Sequence, residues 1–166
     1  SDQLVVNFGA VETFFSDRRP FFTENQSLFD LPFGISNSRL LYTRRVGGPA
    51  DDGSGAGDVG AAVKLNGSAG RWQYGVFAAD ETDEAGRSFL AARSVADLGE
   101  HDLGFMLTDV DRPFLDRHAR TGAIDHRWTR GESLSLATTV VGSDIDQDGN
   151  SDRAFGMQSR LDQRFS

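Results

Sequence analysis

The chain has 166 residues, 38% of them hydrophobic, with 19 glycines and only four prolines, which suits one domain with a core and not a disordered chain. A formal net charge of −8 and a pI near 4.8 argue against a nucleic-acid partner, because phosphates need a basic face. There is no cysteine, hence no disulfide, thiolate metal site or cysteine nucleophile, and no apolar run reaches the roughly 18–20 residues of a membrane helix.

That last test excludes helical spanning only, since barrel strands escape it. No signal peptide opens the chain, and Ser1 reads as a cut inside a longer protein. Sixteen arginines stand against the single Lys64, which suits either lateral ladders of carboxylates held in the rigid guanidinium fork or simply an arginine-biased genome.

In chain order, QLVVNFGAV at residues 3–11 is apolar enough for one strand. Residues 14–34, FFSDRRPFFTENQSLFDLPFG, hold six of the thirteen phenylalanines: Phe14, Phe15, Phe21, Phe22, Phe29 and Phe33. Pro20 and Pro32 deny this stretch a continuous helix or a central strand. Each buried phenylalanine is worth about 1.5–3 kcal/mol, so the segment is expected to dock as an irregular aromatic cap or plug. Residues 38–46 read as a second strand, and GGPADDGSGAGD at 47–58 as a flexible acidic loop.

The stretch 14–34, followed by LLYTRRVGG at 40–48, resembles the opening of a bacterial domain of unknown function. In that family the domain follows a family-9-like carbohydrate-binding module, and the resemblance implies a C-terminal outer-membrane β-barrel of a Gram-negative bacterium. The match is specific from Phe14 to Gly47. The carbohydrate-binding module is not within these 166 residues.

From Val59 onward the pattern is regular, with candidate strands at 59–65, 71–79, 87–96, 102–109, 119–129, 133–142 and 153–165. One face gathers Val59, Ala61, Val63 and Leu65, then Trp72, Tyr74, Val76 and Ala78, then Leu103, Phe105 and Leu107, then Leu134, Leu136, Thr138 and Val140. The other face carries Lys64, Asn66, Gln73, Gly104, Thr108 and Ser135. Most runs approach the roughly 9–11 residues of a tilted membrane strand. Short connections at 66–70, 97–101 and 129–132 alternate with longer polar ones at 80–86, 110–118 and 143–152, as the two rims of a barrel meander would require. Residues 85–99 also fit an amphipathic helix ending at Gly99, but the flanking hairpins favour a strand.

The expected architecture is therefore a single all-β domain over 1–166. It comprises a strand, aromatic cap and loop over 1–58, and an antiparallel meander of sequential hairpins over 59–166, barrel-like, with any barrel beyond the strand at Phe165 completed by further chain or by other copies. The apolar rows are diluted by Ser94, by Asp125 or His126, and by Arg160 or Ser159. A charge facing lipid there would cost about 2–4 kcal/mol at the midplane.

The clearest chemical motif spans residues 144–152. Asp144, Asp146, Asp148, Asn150 and Asp152 place oxygens at the alternating positions of a calcium loop, with Gly149 for the sharp turn. Phe155 replaces the bidentate glutamate and no helices flank it, so the candidate is a weak calcium site, against a solvated acidic hairpin. Trp72, Tyr74 and Trp128 are candidate sugar-stacking residues, or members of an interfacial aromatic girdle. Glu24 with Asp17, Asp30 or Glu12 could supply a glycosidase carboxylate pair, but acids beside Arg18 and Arg19 read more naturally as structural partners. His101, His118 and His126 lack ligand spacing, and there is no nucleophile elbow or phosphate loop.

These readings make the expected function structural: an outer-membrane-type β-barrel module that anchors or couples a carbohydrate-binding neighbour at the cell surface, without catalysis of its own. The alternatives are a soluble, periplasmic β-rich domain binding glycan or calcium, and a glycoside hydrolase. The expected partners are the outer membrane, the remainder of a longer chain, and glycan.

Overall fold

A computed structural model describes residues 26–29, 31–33, 38–39, 45–82, 84–131 and 133–163. The sequence-predicted strand at 3–11 and the cap residues 14–25 lie outside the described residues, as do residues 40–44 of the second expected strand.

The fold is all-β, an antiparallel meander of sequential hairpins. After a 3-10 turn at Gln26–Phe29, two short strands pair, β1 (Pro32–Phe33) and β2 (Ser38–Arg39). Seven strands then form one sheet in sequence order: β3 (Val59–Ala69), β4 (Trp72–Glu81), β5 (Ser88–Asp97), β6 (His101–Arg112), β7 (Arg117–Arg130), β8 (Leu134–Gln147) and β9 (Asn150–Gln163). The ambiguous segment 85–99 is strand β5, because its edges find partners along β4 and β6. Pairing neighbours outweigh the helix preference of its alanines.

Among the described residues the sheet is open, with β3 and β9 as its edges. One expectation is corrected. The loops expected at 110–118 and 143–152 are largely strand. Residues 113–115 form a 3-10 turn, and β8 and β9 are joined by Asp148 and Gly149, with φ of 52° and 74°. Positive φ at both central residues is the tight hairpin geometry whose twist matches that of the flanking strands.

Among the described residues the core lies on one face of the sheet. Phe29, Leu31 and Val46 pack against Phe77, Ala79, Phe89, Ala91 and Met106, with Ala123 and Val141 extending the patch. Phe29 and Leu31 thus behave as the aromatic cap was expected to behave. Gly75 admits them: a Cβ there would lie 2.7 Å from Leu28 Cδ2 and 2.9 Å from Phe29 Cζ.

Residues 47–58, expected as a flexible loop, are tied to one rim. Pro49 and Ala56 form a β-bridge, and Arg87 anchors the segment from below. Arg87 donates to Glu81 through Nε at 2.7 Å and to the Arg45 and Pro49 carbonyls at 2.9 and 3.1 Å. Glu81 in turn accepts the Gly47 N–H at 2.7 Å, and Asp51 pairs with Arg112 and Arg87. Every charge in this buried set has an opposite partner, which is the condition for burying charge at all.

Candidate functional site

The feature that distinguishes this sheet is how its two faces are used. Strand pairing aligns side chains into rows that cross the sheet. One row runs Leu65, Val76, Ala92, Leu107, Gly122, Gly142, Phe155; the next runs Gly67, Tyr74, Ser94, Phe105, Ile124, Val140, Met157. A third holds Trp72, Ala96, Leu103, His126, Thr138 and Ser159. This face is apolar and open: Leu65 is 59% exposed, Leu107 65%, Met157 66% and Leu161 64%.

The opposite face carries the cap and is polar or small outside the patch the cap covers. Its rows include Lys64, Phe77, Ala91, Thr108, Thr121, Ser143, and Gln73, Val95, Gly104, Asp125, Thr139, Gln158. Arg93 is 7% exposed on this face, forking both guanidinium nitrogens onto Asp125 while Nε donates to the Leu28 carbonyl at 3.2 Å. The register also sorts the expected intrusions. Asp125 and Arg160 fall on the covered side, whereas Ser94, His126 and Ser159 fall on the apolar one. Two of these are partnered there, Ser159 with Thr138 at 3.1 Å and His126 with His101 at 3.0 Å.

The candidate aromatics Trp72, Tyr74 and Trp128 all lie on the apolar face, toward the rim where β3–β4, β5–β6 and β7–β8 connect. Trp72 is on β4 and Trp128 on β7, so they border the sheet rather than build one stacking platform. His101 pairs with Trp128 in register and stacks on His126 with ring centroids 5.2 Å apart. Sequence spacing does not reveal this histidine pair, because only the β6–β7 register brings residues 101 and 126 together.

The five candidate calcium donors are spread over the hairpin. Asp144 and Asp146 project from β8 on the apolar side, Asp148 is in the turn, Asn150 opens β9 opposite Gln147, and Asp152 opposes Ile145 on the covered side. Asp144 is already engaged by Ser151 Oγ at 2.9 Å and Arg153 Nε at 3.1 Å. Among the described residues no three or more histidine or acidic side chains gather as a metal cluster. Asp144 and Arg153 pair across a tight hairpin. Glu12, Asp17, Glu24 and Asp30, the candidate glycosidase acids, lie outside the described residues.

Comparison with family models gives a match over residues 1–62 to a domain of unknown function, DUF5916. The match covers the cap, the tied rim segment and the start of β3. No curated protein and no solved structure matches the chain. The N-terminal part is thus similar to a bacterial domain of unknown function.

Proposed function

We propose that the chain is a wall segment and inner cap of an outer-membrane-type β-barrel, serving to anchor or couple a carbohydrate-binding neighbour at the bacterial cell surface. The observation that carries this reading is the inverted use of the two faces. A water-soluble sheet turns its apolar rows toward its core, because leaving them wet forfeits about 25 cal/mol for every Å². Here the rows of Leu65, Leu107, Ile124 and Met157 stay open, while Arg93 is buried beneath the cap and Glu81 beneath the rim segment. Lipid outside and a polar lumen inside would satisfy both faces at once.

Dimensions agree. Along β7, Arg120 and Trp128 bracket the apolar band. Their eight-residue separation spans roughly 26 Å at about 3.3 Å per residue, or roughly 20 Å once tilted by about 40°, near the roughly 25 Å band of membrane barrels. Trp72 and Trp128 then sit where an aromatic girdle belongs. No described helix is long and apolar enough to cross a membrane, so any spanning is done by strands. The anchoring role comes from the family resemblance of the N-terminal part and is a proposal of the same standing.

Flotation with liposomes tests this. Co-flotation resistant to high salt and carbonate is the expected result. A chain that stays monomeric in detergent-free buffer and remains at the bottom of the gradient would instead mark a soluble domain.

A further inference from the structure

The strand glycines fall into two groups. Gly67, Gly75 and Gly104 stand where a Cβ would strike a neighbouring side chain. Gly122 and Gly142, paired across β7 and β8, are different. A Cβ on Gly142 would meet nothing within 4 Å, and one on Gly122 would touch only Leu107 Cδ2, at an ordinary 3.5 Å. Neither has a positive φ. Nothing in the backbone or the packing calls for glycine at these two positions.

What the missing side chains leave is a groove in the apolar face. Its volume is about 560 Å³, and it is bounded by Leu90 and Leu107 on one side and Arg153 on the other. That size lies within the roughly 300–1,000 Å³ of small-molecule sites. Directly above the glycine row, the next row reads Asp109, Arg120, Asp144, Arg153 across β6 to β9. The charges alternate in sign. Arg120 donates to Asp109 through Nε at 3.0 Å, His118 Nε2 lies 2.9 Å from the other Asp109 oxygen, and Arg153 donates to Asp144 through Nε at 3.1 Å, with both guanidinium groups largely exposed.

We propose that this groove holds one acyl chain of a lipid whose headgroup carries both a phosphate and an ammonium. The chain lies over Gly122 and Gly142, the phosphate reaches the guanidinium groups of Arg120 and Arg153, and the ammonium meets Asp109 and Asp144. Guanidinium forks suit phosphate oxygens, and the alternating carboxylates disfavour a headgroup that is only anionic. The inference rests on the membrane reading above.

Native mass spectrometry of the chain in maltoside micelles, with equimolar phosphatidylethanolamine, phosphatidylglycerol and diacylglycerol, tests it. The wild type should retain phosphatidylethanolamine roughly fivefold over either competitor, the scale set by two half-exposed ion pairs. Gly142→Leu, whose Cβ would meet nothing within 4 Å, fills the groove and should abolish that retention. Arg120→Gln combined with Arg153→Gln should retain lipid but lose the headgroup preference. Equal retention of the three lipids, a preference for phosphatidylglycerol, or undiminished retention in Gly142→Leu would each overturn the proposal. If the chain never enters micelles or vesicles, the membrane reading fails; if it enters and shows no preference, only this inference fails.

Discussion

Arg93 on β5 and Asp125 on β7 form a forked ion pair across the strand between them, over Gly104 of β6. A Cβ on Gly104 would collide with both partners, so the glycine is what lets two non-adjacent strands exchange charge. The same arginine holds the Leu28 carbonyl, joining the cap to the sheet.

Removing one partner should therefore be costly. Asp125→Ala leaves a buried guanidinium uncompensated and should destabilise the fold by about 3–5 kcal/mol. Replacing both, as Arg93→Met with Asp125→Leu, should cost clearly less. Denaturant midpoints of the three proteins check this, and equal losses for the single and double variants would contradict it.

Docking of the cap depends on the bare backbone of Gly75. Gly75→Val inserts methyl groups where Leu28 and Phe29 already lie and should cost about 1–3 kcal/mol, in the range of overpacked cores. Chymotryptic cleavage at Phe29 should accelerate while far-ultraviolet dichroism of the sheet is unchanged. An unaltered cleavage rate would show that the cap does not need this site.

The rim segment should be acid-sensitive. A hydrogen bond from Arg112 holds the Asp51 carboxyl below the usual carboxylate range, against the opposing effect of burial, and Arg87 adds to the lowering. A carboxyl depressed in the folded state contributes stability that is present above its unfolded pKa and lost as pH falls through the folded value. Melting temperature should thus decline below about pH 4, the ordinary aspartate value, and Asp51→Asn should flatten part of that decline. Identical acid profiles for the two proteins would refute the assignment.

The strands were legible in the sequence wherever apolar and polar residues alternate, as in Leu103, Phe105 and Leu107 set against Gly104 and Thr108. Even the dilution of the apolar rows was resolved by register, which turned Asp125 and Arg160 to the covered side. The hairpin at 143–152 misled because its alternating aspartates look like loop chemistry, although they continue the period of two and the Asp148–Gly149 pair is a tight-turn signal. The Arg93–Asp125 pair and the His101–His126 stack were invisible, since each depends on contacts between residues distant in sequence.

That hairpin geometry also predicts the response to calcium. With Asp144 paired to Arg153 and Asp152 on the other side of the sheet, calcium up to several millimolar, the range of weak extracellular sites, should leave the melting temperature unchanged. A calcium-dependent rise that disappears in Asp146→Ala would instead support a calcium site at this hairpin.

The inverted sheet makes the most direct demand. Because the chain has no cysteine, single cysteines can be placed at Leu107 and Thr108 of β6 and at Ala123 and Ile124 of β7, and spin-labelled in liposomes. Leu107 and Ile124 lie on the open apolar face, Thr108 and Ala123 on the covered one. Labels at 107 and 124 should collide freely with dissolved oxygen and hardly with an aqueous nickel chelate, while those at 108 and 123 should lose the oxygen preference. High nickel accessibility at 107 and 124, without alternation along either strand, would contradict a lipid-facing sheet.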